Sequence, residues 1–245
     1  MSEINLSMKP KLERTESRDA LARTLTARLL ALASETLAAR EKFTLALPGG
    51  SVVSLLAQGL AQHPIDASRW ELYWTDERCV PQTDPQSNFH LAQTELFPVL
   101  NIPPSRIHPI QGHLGPEAAA LAYEAELVNA LPQLDLILLG VGEDGHIASL
   151  FPGNPALLET TRAVVPVRHA PKPPPERVTL TLPTLLRARH VWIVAAGPEK
   201  KSILKRVFFP AAAQAPVPAQ LLHSSSGTVT WMVDRAAAPT AKDSP

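Results

Sequence analysis

The sequence predicts an α/β fold built on a mainly parallel sheet with helices on both faces. Segments with strand character alternate with segments of helical periodicity along the chain, which is typical of this class. Several of the strands are apolar at nearly every position, as expected where both faces of a parallel sheet are buried. The chain has 245 residues, 45% of them apolar, and no linker divides it. We therefore predict a single α/β domain over residues 1–245.

The first half of the chain carries four predicted helices and two predicted strands. Leucines recur at helical spacing between Ser17 and Arg40, which predicts one long amphipathic helix. FTLAL and WELYW are short, largely apolar runs that end at glycine-rich or polar residues, which predicts buried strands. The predicted order is helix 17–40, strand 43–47, helix 51–62, strand 70–74, a polar loop over 75–88, helix 87–97, a proline-rich loop over 101–116 and helix 117–131.

The second half continues the alternation. Pro198 stands at the first position of a predicted helix, where proline is favoured. From Arg235 onward the residues are mostly Ala, Pro and Ser, so residues from about 236 to 245 are expected to form a disordered tail. The predicted order is strand 134–140, extended segments 163–167 and 177–182, helix 183–189, strand 190–197, helix 198–208 and strand 228–234.

Charge and cysteine content exclude several classes of protein. Lys plus Arg and Asp plus Glu are both 23, so the chain lacks the basic excess of a nucleic-acid or anionic-membrane surface. The one cysteine, Cys79, allows no intrachain disulfide and no thiolate metal site. No secretory signal and no membrane span is predicted, and with a single cysteine we expect a cytoplasmic, metal-independent protein. Seven of the eight histidines show no metal-ligand spacing and are treated as background: His63, His90, His108, His113, His169, His190 and His223.

Three polar or glycine-rich loops follow predicted strands, and they are the candidates for a common site. In a parallel sheet the carboxyl ends of the strands meet at one edge, where ligands bind. The first loop, PGGS, brings Gly49, Gly50 and Ser51 to the start of a helix. It is either a loop whose free N–H groups bind an anion such as phosphate, or a tight turn with Ser51 as N-cap.

The second loop, TDERCVPQTDPQSN, places three charged residues directly after a strand. Asp76, Glu77 and Arg78 either form a solvated charged loop or bring an arginine to a phosphate or a developing oxyanion. Ser87 suits the N-cap of the helix that follows.

The third loop, GVGEDGHIASLFPG, gives the strongest signal. Its three glycines allow sharp bends, and it delivers His146 from a buried strand. A histidine there can act as a general base near neutral pH. Asp144, two residues earlier, can orient the ring or bind a hydroxyl group.

Two later segments add cations. APKPPPERV carries Lys172 and Arg177, and AAGPEKK places Lys200 in the first turn of a helix. A lysine at a helix N-terminus is unfavourable for the helix dipole, so Lys200 is either a solvated residue or a phosphate ligand.

Taken in order, these segments resemble the glucosamine-6-phosphate isomerase/6-phosphogluconolactonase family. The resemblance covers nearly the whole chain, from LALPGGS to TVTWMVD, and it lies in GGS, WELYWTDERCVP, DPQSN, DLILLGVGEDGHIASLFPG, PKPPPERVTL and GPEK. It implies a three-layer α/β/α fold like that of glucosamine-6-phosphate deaminase and ribose-5-phosphate isomerase. Within the family the residues favour a lactonase of the oxidative pentose phosphate pathway, which opens 6-phospho-D-glucono-1,5-lactone without a cofactor.

The resemblance also implies roles for individual residues. His146 matches the general base, and Arg78 falls on a position associated with anion or substrate binding. We expect Arg78 and Asp144 to be the catalytic partners of His146. The positions implied for substrate or phosphate binding are Gly49, Gly50, Ser51, Asp76, Arg177 and Lys200. The implied partner is a small sugar-phosphate lactone, and the protein is expected to be a monomer or a small homo-oligomer.

Four positions depart from the usual lactonase pattern, and one of them favours the deaminase. Val52 and Val53 replace the usual Thr-Pro after Gly-Gly-Ser, Lys201 replaces a small residue, and Ile147 matches the deaminase DGHIA. The deaminase, however, carries a glutamate where this chain has Phe151, and Asp-Glu-Tyr where it has Asp-Glu-Arg. A lactonase is therefore preferred. A non-catalytic sugar-phosphate sensor is disfavoured because His146 is present and no basic helix-turn-helix is predicted.

Overall fold

The computed structural model describes residues 11–61, 65–130, 133–210, 215–225 and 227–239. Its strands are β1 (Lys11–Thr15), β2 (Phe43–Leu47), β3 (Trp70–Trp74), β4 (Asp76–Arg78), β5 (Leu136–Leu139), β6 (Val164–Val167), β7 (Arg177–Leu180), β8 (His190–Ala195) and β9 (Thr228–Asp234). Its α-helices are α1 (Arg18–Ala39), α2 (Ser51–Leu60), α3 (Asn88–Leu91), α4 (Pro116–Ala130), α5 (Leu182–Arg187), α6 (Lys201–Phe208) and α7 (Pro218–Leu221).

Six strands form one parallel sheet in the order β1-β9-β8-β5-β2-β3. Every residue of β2, β3 and β5 is buried, because helices cover both faces of the sheet. A second, antiparallel sheet of β4, β7 and β6 packs beside α4. The predicted mainly parallel α/β class is confirmed.

The strand order reverses between β2 and β5. The chain leaves β2 toward β3 on one side, and it later places β5 on the other side of β2. Such a reversal opens a crevice beyond the carboxyl ends of the two strands. The PGGS loop follows β2 and the histidine loop follows β5, so the fold brings both loops to this crevice.

Three elements differ from the sequence predictions. Residues 76–78, predicted as loop, form strand β4, because they pair with the distant β7. Strand β1 was not predicted; its polar sequence KLERT lies at the sheet edge beside β9. Helix 87–97 is split into α3, a π turn at Ala92–Leu96 and a 3-10 turn at Phe97–Val99.

The expected disordered tail is wrong for its first four residues, 236–239. Ala237 and Ala238 are buried, and the backbone N–H of Ala237 donates to the Asp234 carboxylate at 2.8 Å. Arg14 also donates to the Pro239 carbonyl at 2.9 Å. Residues 240–245, His63 and the predicted helix ends at 62 and 131 lie outside the described residues. None of the described helices is long and apolar enough to cross a membrane.

Candidate active site

A cavity of about 320 Å³ opens at the carboxyl edge of the parallel sheet, at the crevice between β2 and β5. Eight of the nine site residues predicted from the sequence line it: Gly49, Gly50, Ser51, Asp76, Arg78, His146, Arg177 and Lys200. The ninth, Asp144, is not part of the lining and contacts the ring of His146 instead. The fold therefore brings the three predicted loops and the two later cationic segments together.

His146 is held by its own loop. Its Nδ1 lies 2.5 Å from Asp144 Oδ1, and its backbone N–H donates to the same oxygen at 3.2 Å. The ring packs at 4.5 Å, centroid to centroid, on the buried ring of Phe151. Since the Asp144 carboxylate is only an acceptor, Nδ1 carries the proton. No group among the described residues bonds to Nε2, which leaves that nitrogen available to a ligand in the cavity.

Asp144 is ionised in this arrangement. Burial alone would raise the pKa of its carboxyl, but the hydrogen bond from the His146 side chain, the charge of His146 and the backbone N–H of His146 outweigh it. Together they lower the pKa of Asp144 to about 2. The carboxylate therefore fixes both the orientation and the tautomer of His146.

This ion gives the folded state a pH-dependent stability. The pKa of Asp144 falls from 3.8 to about 2 on folding, so its contribution is present above about pH 4 and is lost as the pH falls toward about 2. We expect the difference in Tm between wild type and Asp144→Asn to close over that range. Glu143→Gln, at the exposed neighbouring carboxylate, is the control and should show little change. A constant difference for Asp144→Asn would contradict the ionic contact.

Two of the three glycines of the histidine loop are required by the structure, each for a different reason. A Cβ on Gly142 would lie 2.0 Å from His146 Nδ1 and 2.1 Å from Cε1, so only glycine lets the ring rest against the backbone. Gly145 has φ +84° and faces Val217, whose side chain would meet a Cβ at 2.5 Å. Gly140 has no such restriction, since its Cβ would meet only Val52 Cγ2 at 3.6 Å.

The PGGS loop forms the N-terminus of α2. Gly50, with φ +68°, occupies the N-cap position, so the alternative that Ser51 is the N-cap is wrong. A Cβ on Gly49 would lie 1.9 Å from Asn88 Oδ1, so close packing against Asn88 explains the glycine at this position. Ser51 is exposed at the first helical position. The N-terminal N–H groups of this ten-residue helix suit an anion.

The two acidic residues that precede Arg78 are buried, and one of them, Glu77, stabilises the loop. Glu77 accepts hydrogen bonds from the backbone N–H groups of Arg78, Asn88 and Phe89. Burial raises the pKa of Glu77, and these hydrogen bonds oppose the rise. Glu77 thereby anchors the loop that returns to α3, where Ser87 is the predicted N-cap and accepts from His90 N–H.

The guanidinium group of Arg78 has hydrogen-bond partners for only some of its N–H groups. Its Nη1 donates to the Gln86 carbonyl at 2.8 Å, whereas its Nε is buried without a partner among the described groups. Because buried donors are nearly always paired, a guanidinium in this state is suited to an anionic ligand.

Arg177 is held mainly by the proline loop. Its Nε donates to the Pro174 carbonyl at 3.0 Å, and its Nη2 donates to the carbonyls of Lys172 and Pro173 at 3.1 and 3.2 Å. Its guanidinium also lies 5.5 Å from the Phe151 ring. Arg177 therefore shapes the loop as well as lining the cavity, a role that the sequence did not indicate.

Two lysines complete the positive lining. Lys200 is the last residue of a 3-10 turn and the N-cap of α6, and its Nζ donates to the Val141 carbonyl at 3.0 Å. Lys172, which the sequence analysis named as a cation without assigning it a role, is exposed and also lines the cavity. Among the described lining residues, four cationic side chains thus face one carboxylate, in a chain of zero formal net charge. This excess favours an anionic ligand.

Among the described residues, no group of three or more His, Cys, Asp or Glu side chains is placed to hold a metal ion. That the protein needs no metal or cofactor stays a prediction.

Comparison with known proteins gives consistent matches. The family described as glucosamine-6-phosphate isomerases/6-phosphogluconolactonase matches residues 16–231. The human 6-phosphogluconolactonase is 43% identical over 210 residues, which cover 82% of this chain and 81% of the human protein. The structure of 6-phosphogluconolactonase from Trypanosoma cruzi matches with a TM-score of 0.86 at 29% identity, covering 95% of this chain and 97% of that one.

A monomeric glucosamine-6-phosphate deaminase matches with a TM-score of 0.76 at 22% identity, covering 93% of this chain and 98% of that one. At this identity the match shows the fold alone. It confirms the predicted likeness to the deaminase fold, while the likeness to ribose-5-phosphate isomerase stays a prediction.

Proposed function

Because the chain belongs to the family of glucosamine-6-phosphate isomerases and 6-phosphogluconolactonases, we propose that it hydrolyses 6-phospho-D-glucono-1,5-lactone to 6-phospho-D-gluconate. The observation that carries this proposal is a histidine, oriented by an aspartate, inside a cavity whose charged lining residues are mainly cationic. Such a cavity fits a sugar phosphate, and such a histidine can activate water. The reaction belongs to the oxidative pentose phosphate pathway.

In this mechanism His146 is the general base. Its Nε2 removes a proton from a water molecule while the water oxygen attacks the lactone carbonyl carbon. The imidazolium that forms is stabilised by Asp144, which accepts from Nδ1. When the tetrahedral intermediate collapses, the bond to the ring oxygen breaks and that oxygen takes the proton back from Nε2. The products are the C5 hydroxyl group and the carboxylic acid, which ionises.

The cations divide between the developing oxyanion and the phosphate. Arg78 is the candidate for the oxyanion, because its guanidinium has a buried N–H to donate. The N-terminus of α2, Arg177 and Lys200 are the candidates for the phosphate. Binding energy from the phosphate, remote from the reacting carbon, then holds the ring in place for attack.

The deaminase alternative is weakened by Phe151. The family resemblance gives a deaminase a glutamate at this position for ring opening, whereas here a buried aromatic ring packs under His146 and near Arg177. The aromatic ring supports the histidine but cannot transfer a proton.

The test is hydrolysis of the lactone, generated in situ from glucose 6-phosphate, against the spontaneous rate. We expect a clear acceleration by the protein and no ammonia release from glucosamine 6-phosphate in a parallel assay. Ammonia release without lactone hydrolysis would establish the deaminase instead. Binding of sugar phosphates without either reaction would indicate a sensor. A cytoplasmic location and a monomer or small homo-oligomer stay predictions.

A further inference from the structure

Ser149 occupies a buried position between two charged groups of the cavity. Its hydroxyl is fully buried, donates to Asp76 Oδ2 at 2.7 Å and lies 3.4 Å from Arg177 Nη1, from which it accepts. Its backbone N–H donates to Thr179 Oγ1 at 3.2 Å, so the residue is fixed on the side of β7 as well. Ser149 thus connects the histidine loop to strands β4 and β7.

Arg177 keeps one N–H free in this arrangement. A guanidinium has five N–H donors. Nε and both N–H groups of Nη2 are directed at carbonyls of the proline loop, and Nη1 gives one to Ser149. One Nη1 donor therefore has no acceptor among the described residues, and Arg177 lines the cavity.

The carboxylate of Asp76 likewise keeps one oxygen without a close partner. Its Oδ2 is taken by Ser149, whereas its Oδ1 has only long contacts, 3.3 Å from Thr75 Oγ1 and 3.5 Å from Asn88 Nδ2. Oδ1 therefore keeps the capacity to accept from a hydroxyl group in the cavity. Asp76 and Arg177 form no direct ion pair with each other among the described residues.

We propose that Ser149 is a positioning residue for substrate binding, because its hydroxyl separates Asp76 from Arg177 and leaves each with one group for the substrate. Without the hydroxyl, the buried carboxylate loses its shortest contact and the opposite charge nearby becomes its best partner. A direct ion pair would draw the two side chains toward each other, and would move Asp76 Oδ1 and the free Nη1 N–H of Arg177 away from the positions in which they meet the substrate. This inference rests on the proposed function, in which Asp76 binds a sugar hydroxyl and Arg177 the phosphate.

The test is Ser149→Ala, with KM and kcat measured for lactone hydrolysis. We expect KM to rise about tenfold or more, since hydrogen bonds to two charged groups are affected, while kcat changes much less. The dissociation constants of 6-phospho-D-gluconate and of inorganic phosphate, measured by calorimetry, should rise with KM.

The matched control is Thr44→Val. Thr44 is also buried and donates to a buried carboxylate, Asp135 Oδ2, at 3.0 Å, but at the opposite end of the sheet. Both variants should lower Tm, and only Ser149→Ala should weaken binding. Unchanged KM and dissociation constants in Ser149→Ala, with a lower Tm, would reduce Ser149 to a structural residue and overturn the proposal.

A second variant and a binding measurement cover the cases in which Ser149→Ala does not fold or the wild-type protein is inactive. If Ser149→Ala fails to fold, the near-isosteric Ser149→Cys, whose thiol is a weak donor, should still weaken binding, and wild-type affinity in that variant would overturn the proposal. If the wild-type protein does not hydrolyse the lactone, the proposed function fails. Weaker phosphate binding by Ser149→Ala alone would then still support the positioning role.

Discussion

Replacing His146 with alanine should lower kcat for lactone hydrolysis by about 10²- to 10⁴-fold, the usual contribution of a general base. The reason is that Nε2 of this ring is the candidate proton acceptor in the cavity, held in place by Asp144 and Phe151. The affinity for 6-phospho-D-gluconate should change little, because the cationic groups that we propose to bind the phosphate remain. Initial rates and calorimetry of the same preparation measure the two effects separately.

The control for this experiment is His113→Ala, which removes an exposed histidine in a 3-10 turn outside the cavity. It should keep the wild-type kcat and affinity. A His146→Ala enzyme with wild-type kcat would remove His146 as the base. Loss of binding together with loss of turnover would instead make His146 a substrate ligand.

Three apolar strands of the parallel sheet could be predicted with their bounds. FTLAL, WELYW and TVTWMVD have the observed bounds of β2, β3 and β9, since a short apolar run that ends at glycine or polar residues fits a buried strand. Strands β1 and β4 have polar sequences, KLERT and DER. They are strands only because β9 and β7 offer partners, and such pairing between distant segments leaves no local pattern.

The residues of the site were predictable for a related reason. In a parallel sheet, chemistry-bearing loops gather at the carboxyl ends of the strands, so their order along the chain already places them together. The contacts of the individual side chains were harder to predict, because several of them join residues that are far apart in the sequence. The bridge that Ser149 makes to Asp76 and Arg177 depends on the distances between three segments, which no spacing in the sequence records.

Gly142→Ala should lower kcat about 100-fold without abolishing folding. The new Cβ would lie 2.0 Å from His146 Nδ1, 2.1 Å from Cε1 and 2.6 Å from Asp144 Oδ1. The ring must therefore move and lose its contact with Asp144, and a displacement of about 1 Å at a catalytic group costs about 10²-fold in rate. Gly142 is not among the residues with positive φ, so alanine fits its backbone and Tm should fall only modestly.

Gly140→Ala is the matched control, two residues earlier on the same loop. Its Cβ would meet only Val52 Cγ2, at an ordinary 3.6 Å, and its φ is also not positive. It should therefore keep kcat close to wild type. Equal losses in both variants would mean that the loop tolerates no added carbon. Wild-type kcat in Gly142→Ala would mean that catalysis does not depend on the position of the His146 ring. Only a loss confined to Gly142→Ala supports the interpretation that this glycine is required because the ring of His146, the proposed general base, rests against it.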